Sequence, residues 1–261
     1  MDLGIKGRTA LVLGAGGGIG SAVAVALARE GVKIAAVDMN QGALDATKLK
    51  LEMVGATSCM RAWNLAQIET IDEHLDAIEA ELGPIDILFN NTGGPAPSQA
   101  SAFDAVALRS QFEAMVLSVM AITSRVSIGM RERKWGRVIT STSSGVVAPI
   151  PNLAVSNALR LALVGWSKTL AREVAADGVT VNVVIPGRIA TARVQFLDDA
   201  KAQREGSTRE AVATDSAATI PTGRYGTPEE YADAVTFLAS SRASYINGTQ
   251  IRVDGGLLAS I

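Results

Sequence analysis

A doubly wound α/β domain, a parallel sheet with helices on both sides, is the fold this sequence predicts. Three observations lead there. Short apolar runs alternate with stretches of helical periodicity along the chain. The runs are apolar throughout rather than at every second position, which is the pattern of strands buried on both faces. The first run is followed at once by a glycine-rich turn, LGAGGGIG (Leu13–Gly20), that opens a helix. With 261 residues, 48% of them hydrophobic, the chain is long enough to bury such a core as one domain over 1–261. Neither an internal repeat nor a linker divides it.

The elements follow in order. RTALVL (8–13) is the first strand, and the helix over 19–30 ends at Gly31. KIAAVD (33–38) is the second strand. Helix 41–53, strand 57–63, helix 68–82 and strand 85–90 come next. A long helix covers 104–133, followed by strand 137–141, helix 153–176 and strand 180–185. Helix 228–239 and strand 250–253 close the chain, for a seven-stranded sheet. Right-handed crossovers between successive strands make that sheet parallel. The polar stretch QFLDDAKAQREGSTREAVATDSAAT (195–219) stands apart. It reads as a solvated helix pair or, because it follows the carboxyl end of a strand, where ligands bind in such sheets, as a mobile substrate cover over about 192–222.

Composition excludes several function classes. A net charge of −2 gives no electrostatic case for nucleic acid or an anionic membrane surface. The densest basic cluster, MRERKWGR (130–137), reads as a helix C-terminus whose cations oppose the dipole. One cysteine, Cys59, allows no intrachain disulfide and fits a reducing compartment; in ATSCM it is expected to be a buried structural thiol. One histidine, His74, sits in a polar helical pattern and is expected to be exposed. One of each cannot build a His/Cys zinc cluster, so no metal site is expected. No apolar run approaches the roughly 20 residues that span a bilayer. The N-terminus lacks an apolar signal region, so the expected location is cytoplasmic, with neither membrane nor nucleic acid as a partner.

The glycine turn carries the first chemistry. Gly14, Gly18 and Gly20 give G-x-x-x-G-x-G between a strand and a helix. There the backbone, with Ile19, comes close to a pyrophosphate at the positive helix N-terminus. Asp38 ends the second strand, 18 residues beyond Gly20. A carboxylate there accepts hydrogen bonds from both ribose hydroxyls of NAD and repels the 2′-phosphate of NADP. No Arg or Lys lies in the turn or in 38–46, so NAD(H) is expected over NADP(H). The plainer alternative for Asp38 is a cap on the next helix.

At this point the sequence resembles the short-chain dehydrogenase/reductase family over its whole length, and within it the 3-oxoacyl-[acyl-carrier-protein] reductase-like members. The motifs that carry the resemblance are GAGGGIG, NNTG (Asn90–Gly93), PGRIAT (Pro186–Thr191), GRYGTPEEYA and VDGG (Val253–Gly256). The resemblance implies a Rossmann-type fold and a small carbonyl or alcohol substrate. It implies a homotetramer or homodimer formed through the helices over 104–133 and 153–176. It also implies cofactor contacts at Asn90, Gly93, Pro186 and Thr191, with Thr191 at the nicotinamide carboxamide. Asn64 stands where many relatives carry an aspartate facing the adenine. Of two basic places shared by carrier-protein reductases, Lys134 fits one, but Asp177 occupies the other.

The family's acid–base pair is rewritten. The resemblance gives Ser143 the serine role at the substrate oxygen. It puts Ser156 where the family has a tyrosine and Arg160 where it has a lysine. Arg160 is thereby placed at the cofactor ribose as well as at the reacting oxygen. No asparagine occurs over 92–151 for the family's water-holding position, and Met115 falls near its place. Residues four apart share a helix face, so Ser156 and Arg160 are expected to face one pocket. A serine hydroxyl is far less acidic than a phenol, and arginine keeps its proton. A water between Ser143, Ser156 and Arg160 is then the expected proton route, with Arg160 stabilising the developing oxyanion. The competing reading is drift to a dinucleotide-binding or partner subunit without turnover. A nucleophilic role for Ser156 lacks both a G-x-S-x-G elbow and a nearby histidine.

Overall fold

The computed structural model describes residues 1–102 and 104–261. Seven parallel strands lie in the order β3-β2-β1-β4-β5-β6-β7. They are β1 (Thr9–Leu13), β2 (Lys33–Asp38), β3 (Ser58–Ala62), β4 (Ile87–Asn90), β5 (Gly136–Ser141), β6 (Val179–Pro186) and β7 (Gln250–Val253). The order reverses between β1 and β4, which opens a crevice at the carboxyl ends of those strands. The expected doubly wound sheet is present, with strand ends moved by one or two residues.

The helices are α1 (Gly18–Arg29), α2 (Gln41–Met53), α3 (Ile71–Leu82), α4 (Ala105–Phe112), α5 (Ser118–Glu132), α6 (Ala154–Val174), α7 (Ala192–Glu205), α8 (Arg209–Ala218) and α9 (Pro228–Ala239). Local chemistry starts them. Asn40, Asp104 and Thr208 cap α2, α4 and α8, and Thr227 with Glu230 forms a capping box on α9 with Pro228 in the first turn. Two apolar layers sandwich the sheet. One joins Val23 and Leu27 of α1 to Tyr231 and Val235 of α9. The other joins Leu75 and Ile78 of α3 to Ile122 and Val126 of α5 and Ala171 of α6.

The expected single helix over 104–133 is two helices joined by a π turn at Glu113–Leu117. Met115 is buried in that turn against Leu159 and Leu163 of α6. Contrary to the expectation that no segment does so, the run Ala105–Glu132 spans 28 residues and is long and apolar enough to cross a membrane by length and composition. In this fold one face of α5 packs on the sheet.

The basic cluster divides. Arg131 and Lys134 both pair with Asp177, at 2.7 and 2.5 Å. Arg137 belongs to β5, not to a helix end, and is buried with its guanidinium over the Trp135 ring. Cys59 is buried as expected, and burial pushes its thiol up to about 11. His74 is not exposed: it is half-buried and stacks on Trp63 at 4.6 Å.

Candidate active site

The turn after β1 is built for close approach. Gly14 has φ +63°, and a Cβ there would sit 2.6 Å from the Asn91 carbonyl oxygen. A Cβ on Gly20 would sit 2.1 Å from the Gly14 carbonyl oxygen, so α1 can start against the turn only without a side chain. Among the described residues no side chain caps α1. Its first N–H groups therefore point outward unpaired, at the positive end of the dipole.

Asp38 ends β2 beside this turn. Its Oδ2 accepts from the Gly16 N–H and its Oδ1 from the Asn40 N–H, both at 3.0 Å. Asn40, not Asp38, caps α2. The capping alternative for Asp38 is thus replaced by a carboxylate on the wall of a cavity.

That cavity, about 760 Å³, runs across the carboxyl ends of the central strands. Gly14, Gly18, Ile19 and Asp38 line it on the β1–β2 side. Gly93, Ser143, Ser156, Arg160, Pro186 and Thr191 line it towards β5 and β6. Three predicted residues stand off the wall. Gly20 packs inside the turn. Asn90 is buried, its Nδ2 donating to the Thr123 and Thr140 hydroxyls at 2.9 and 3.4 Å. Among the described residues its Oδ1 has no partner. Asn64 is exposed, and its Oδ1 accepts from the Ala66 N–H at 3.1 Å.

At the β5–β6 end, Ser143 Oγ accepts from the Gly145 N–H at 3.1 Å, which leaves its own proton free to donate into the cavity. Ser156 and Arg160 are buried one turn apart on α6, and both face the cavity as their spacing predicts. Among the described residues Ser156 Oγ has no protein partner. Arg160 is held by main-chain carbonyls: Nη1 donates to Ser141 O at 3.4 Å, and Nη2 to Thr92 O and Gly93 O at 3.3 and 3.0 Å. Burial, and then the charge of Arg193, bring its pKa down to about 10. It remains cationic at neutral pH.

Several wall residues escaped the sequence reading. Asn91 donates to the Gly14 carbonyl at 3.4 Å, and Arg193 donates to the Pro95 carbonyl at 2.6 Å. Arg193 lies two residues past Thr191, and that proximity to PGRIAT was the available signal. Thr191 caps α7, its hydroxyl accepting from the Val194 N–H. The polar stretch forms α7 and α8. Val194, Leu197 and Lys201 of α7 line the cavity. Asp198 is buried, bonded to Arg188 at 2.5 Å and to the Tyr225 hydroxyl at 2.9 Å. Tyr231, beneath the site, bonds Ser141 Oγ and the Val184 carbonyl. It is fully buried, and burial pushes its phenol upward, away from acid chemistry at neutral pH.

Fold and cavity together define a doubly wound protein with a dinucleotide site at the strand-order reversal. The chain belongs to the short-chain dehydrogenase/reductase family. The profile described as Enoyl-(Acyl carrier protein) reductase matches residues 14–258. The chain is 36% identical over 254 residues to the 3-oxoacyl-[acyl-carrier-protein] reductase FabG of Escherichia coli, covering 97% of this chain and 98% of that protein. Among solved structures, L-sorbose reductase from Gluconobacter frateurii with NADPH and L-sorbose is similar, with a TM-score of 0.94 and 30% identity over 100% of both chains. NAD+-bound xylitol dehydrogenase gives a TM-score of 0.90 and 27% identity, over 97% of this chain and 99% of that one.

Proposed function

We propose that this protein is an oxidoreductase that interconverts a carbonyl and a secondary alcohol with NAD(H). One observation carries the reading: a single cavity joins the glycine turn and Asp38 to Ser143, Ser156 and Arg160. The residues fit the cofactor. Uncapped N–H groups of α1 suit a pyrophosphate, and the Asp38 carboxylate suits a diol while disfavouring a phosphate. Thr191 and Pro186, on the cavity wall towards β6, suit the nicotinamide, and Asn90 steadies the end of β4 from within the core. When bound, the nicotinamide supplies or accepts the hydride.

The chain's own residues do the rest. Ser143 donates to the substrate oxygen. Ser156 holds a water against that oxygen; in reduction the water gives its proton to the alkoxide and regains one from solvent at the cavity mouth. Arg160 stabilises the negative charge that develops there in a low-dielectric setting. Its carbonyl contacts hold the guanidinium in place and narrow the role first expected of it at the ribose. The α7–α8 segment over 192–222 covers the substrate, anchored through Asp198.

A second reading, a dinucleotide-binding or partner subunit without turnover, draws support from Arg160, whose bonds to three carbonyls amount to a structural clamp. Titration with NADH and then a carbonyl screen separate the two. Hydride consumption that falls in Ser156→Ala supports the enzyme. NADH binding with no turnover across the screen supports the binder.

The acyl-carrier substrate of the FabG relatives is disfavoured, because Lys134 and Arg131 are neutralised by Asp177 at the place an acidic carrier would meet. A homotetramer or homodimer through α4, α5 and α6 is supported by the exposed apolar side chains Phe112, Ile128 and Leu161.

A further inference from the structure

We infer that Arg160 and Arg193 form a subsite for an anionic group carried by the substrate, a carboxylate beside the reacting carbonyl. The inference deepens the oxidoreductase reading and rests on it. Both guanidinium groups face the cavity. Both converge on one backbone position: a Cβ on Gly94 would lie 3.1 Å from Arg193 Nη2 and 3.7 Å from Arg160 Nη2. Among the described residues neither has a carboxylate within salt-bridge reach. Arg193 is held by the Pro95 carbonyl, and Arg160 by three others.

The other cations of the wall have a carboxylate within reach. Arg188 pairs with buried Asp198, and Lys201 and Arg204 share Glu205. Asp38 ends β2, and β1 lies between it and β4, after which come the carbonyls that hold both guanidinium groups. Among the described residues, therefore, Arg160, buried, and Arg193, half-buried, are wall cations without a carboxylate partner. Burial depresses both, and at Arg160 the charge of Arg193 adds to it, a repulsion that an anion between them relieves. The planar fork of arginine suits a carboxylate or phosphate in particular.

The site also limits the substrate's shape. Ser156 and Arg160 lie four residues apart on α6, and both line the one cavity. A substrate that meets both carries its anion and its carbonyl close together. A 2-oxo or 3-oxo acid, or the corresponding hydroxy acid, has that character. The cofactor pyrophosphate is the competing anion, but the uncapped N-terminus of α1 already provides for it.

Calorimetry tests this with NAD+ held saturating, because NAD+ and a ketone cannot turn over together. Acetoacetate is expected to bind at least about tenfold more tightly than methyl acetoacetate, the ratio one charge-assisted bond supports. Arg193→Gln, which keeps a donor for the Pro95 carbonyl, is expected to erase that preference and leave NAD+ affinity unchanged. Arg193→Lys, which keeps the charge, retains part of it. Equal binding of acid and ester in the wild type overturns the inference. So does an Arg193→Gln variant that weakens NAD+ as much as acetoacetate, since the arginine would then serve the pyrophosphate. A preference for dihydroxyacetone phosphate over dihydroxyacetone, without one for acetoacetate, likewise overturns the carboxylate assignment, since phosphate would then be the occupant. If NAD+ itself does not bind, the oxidoreductase reading falls; the acid–ester comparison on the free protein then decides the subsite alone.

Discussion

The two ends of the cavity differ in kind. At the β1–β2 end every feature follows from a local requirement: a turn that tolerates no Cβ, an uncapped helix and a carboxylate at a strand end. At the β5–β6 end the scaffold is kept and the reactive groups are replaced. Ser156 and Arg160 occupy the helix face that the family resemblance gives to a tyrosine and a lysine, and Met115 fills apolar space where an asparagine is expected. Backbone geometry defines the first end and side-chain chemistry the second. Chemistry can be rewritten without disturbing geometry, so one end can change while the other stays.

The sharpest way to test that contrast is to put the missing chemistry back. The double variant Ser156→Tyr/Arg160→Lys is expected to raise kcat for carbonyl reduction by about 10²–10⁴, the usual worth of a positioned general acid. No gain, in a variant that still binds NADH, would mean the β5–β6 end has changed in geometry as well. At the other end, Asp38→Ala is expected to weaken NADH by roughly 10–100-fold, the loss of hydrogen bonds to a charged acceptor, and NADPH by much less. Equal losses for both cofactors would remove Asp38 from the ribose.

A pH profile gives a smaller effect. Serine does not titrate in the accessible range, and Arg160 loses its proton only near a pKa of about 10. Turnover is therefore expected to lack the limb that a neutral-range acid produces, and to fall as pH rises through that value, because the cation that stabilises the oxyanion is then lost. A limb near neutrality would point to another titrating group. The smallest effect belongs to Asn64→Ala. Its exposed side chain already bonds Ala66, so NADH affinity is expected to change by no more than about twofold.

Legibility followed the same division. The strand–helix alternation, the glycine turn and Asp38 were readable because each rests on a local rule of backbone space or periodicity. Asn64 and Asn90 were harder. Motif position put both near the cofactor, but a side chain's direction depends on partners far away in sequence, here Thr123 and Thr140 for Asn90. His74 was misread because the ring it stacks on, Trp63, comes from the preceding strand–helix connection. Arg193 was missed for a related reason. Its polar stretch reads as surface until α7 is seen to turn one face towards the cavity.

The π turn at Glu113–Leu117 has an evolutionary consequence. Among the described residues α4, before it, buries no side chain, whereas α5, after it, buries seven. The wide turn breaks the regular phase of the helix, so the two halves face different surroundings. Mutations in the outer half are thereby screened from the core, and the inner half is held by the sheet. One continuous rod can then diverge at two speeds, fast where it meets other surfaces and slowly where it meets its own.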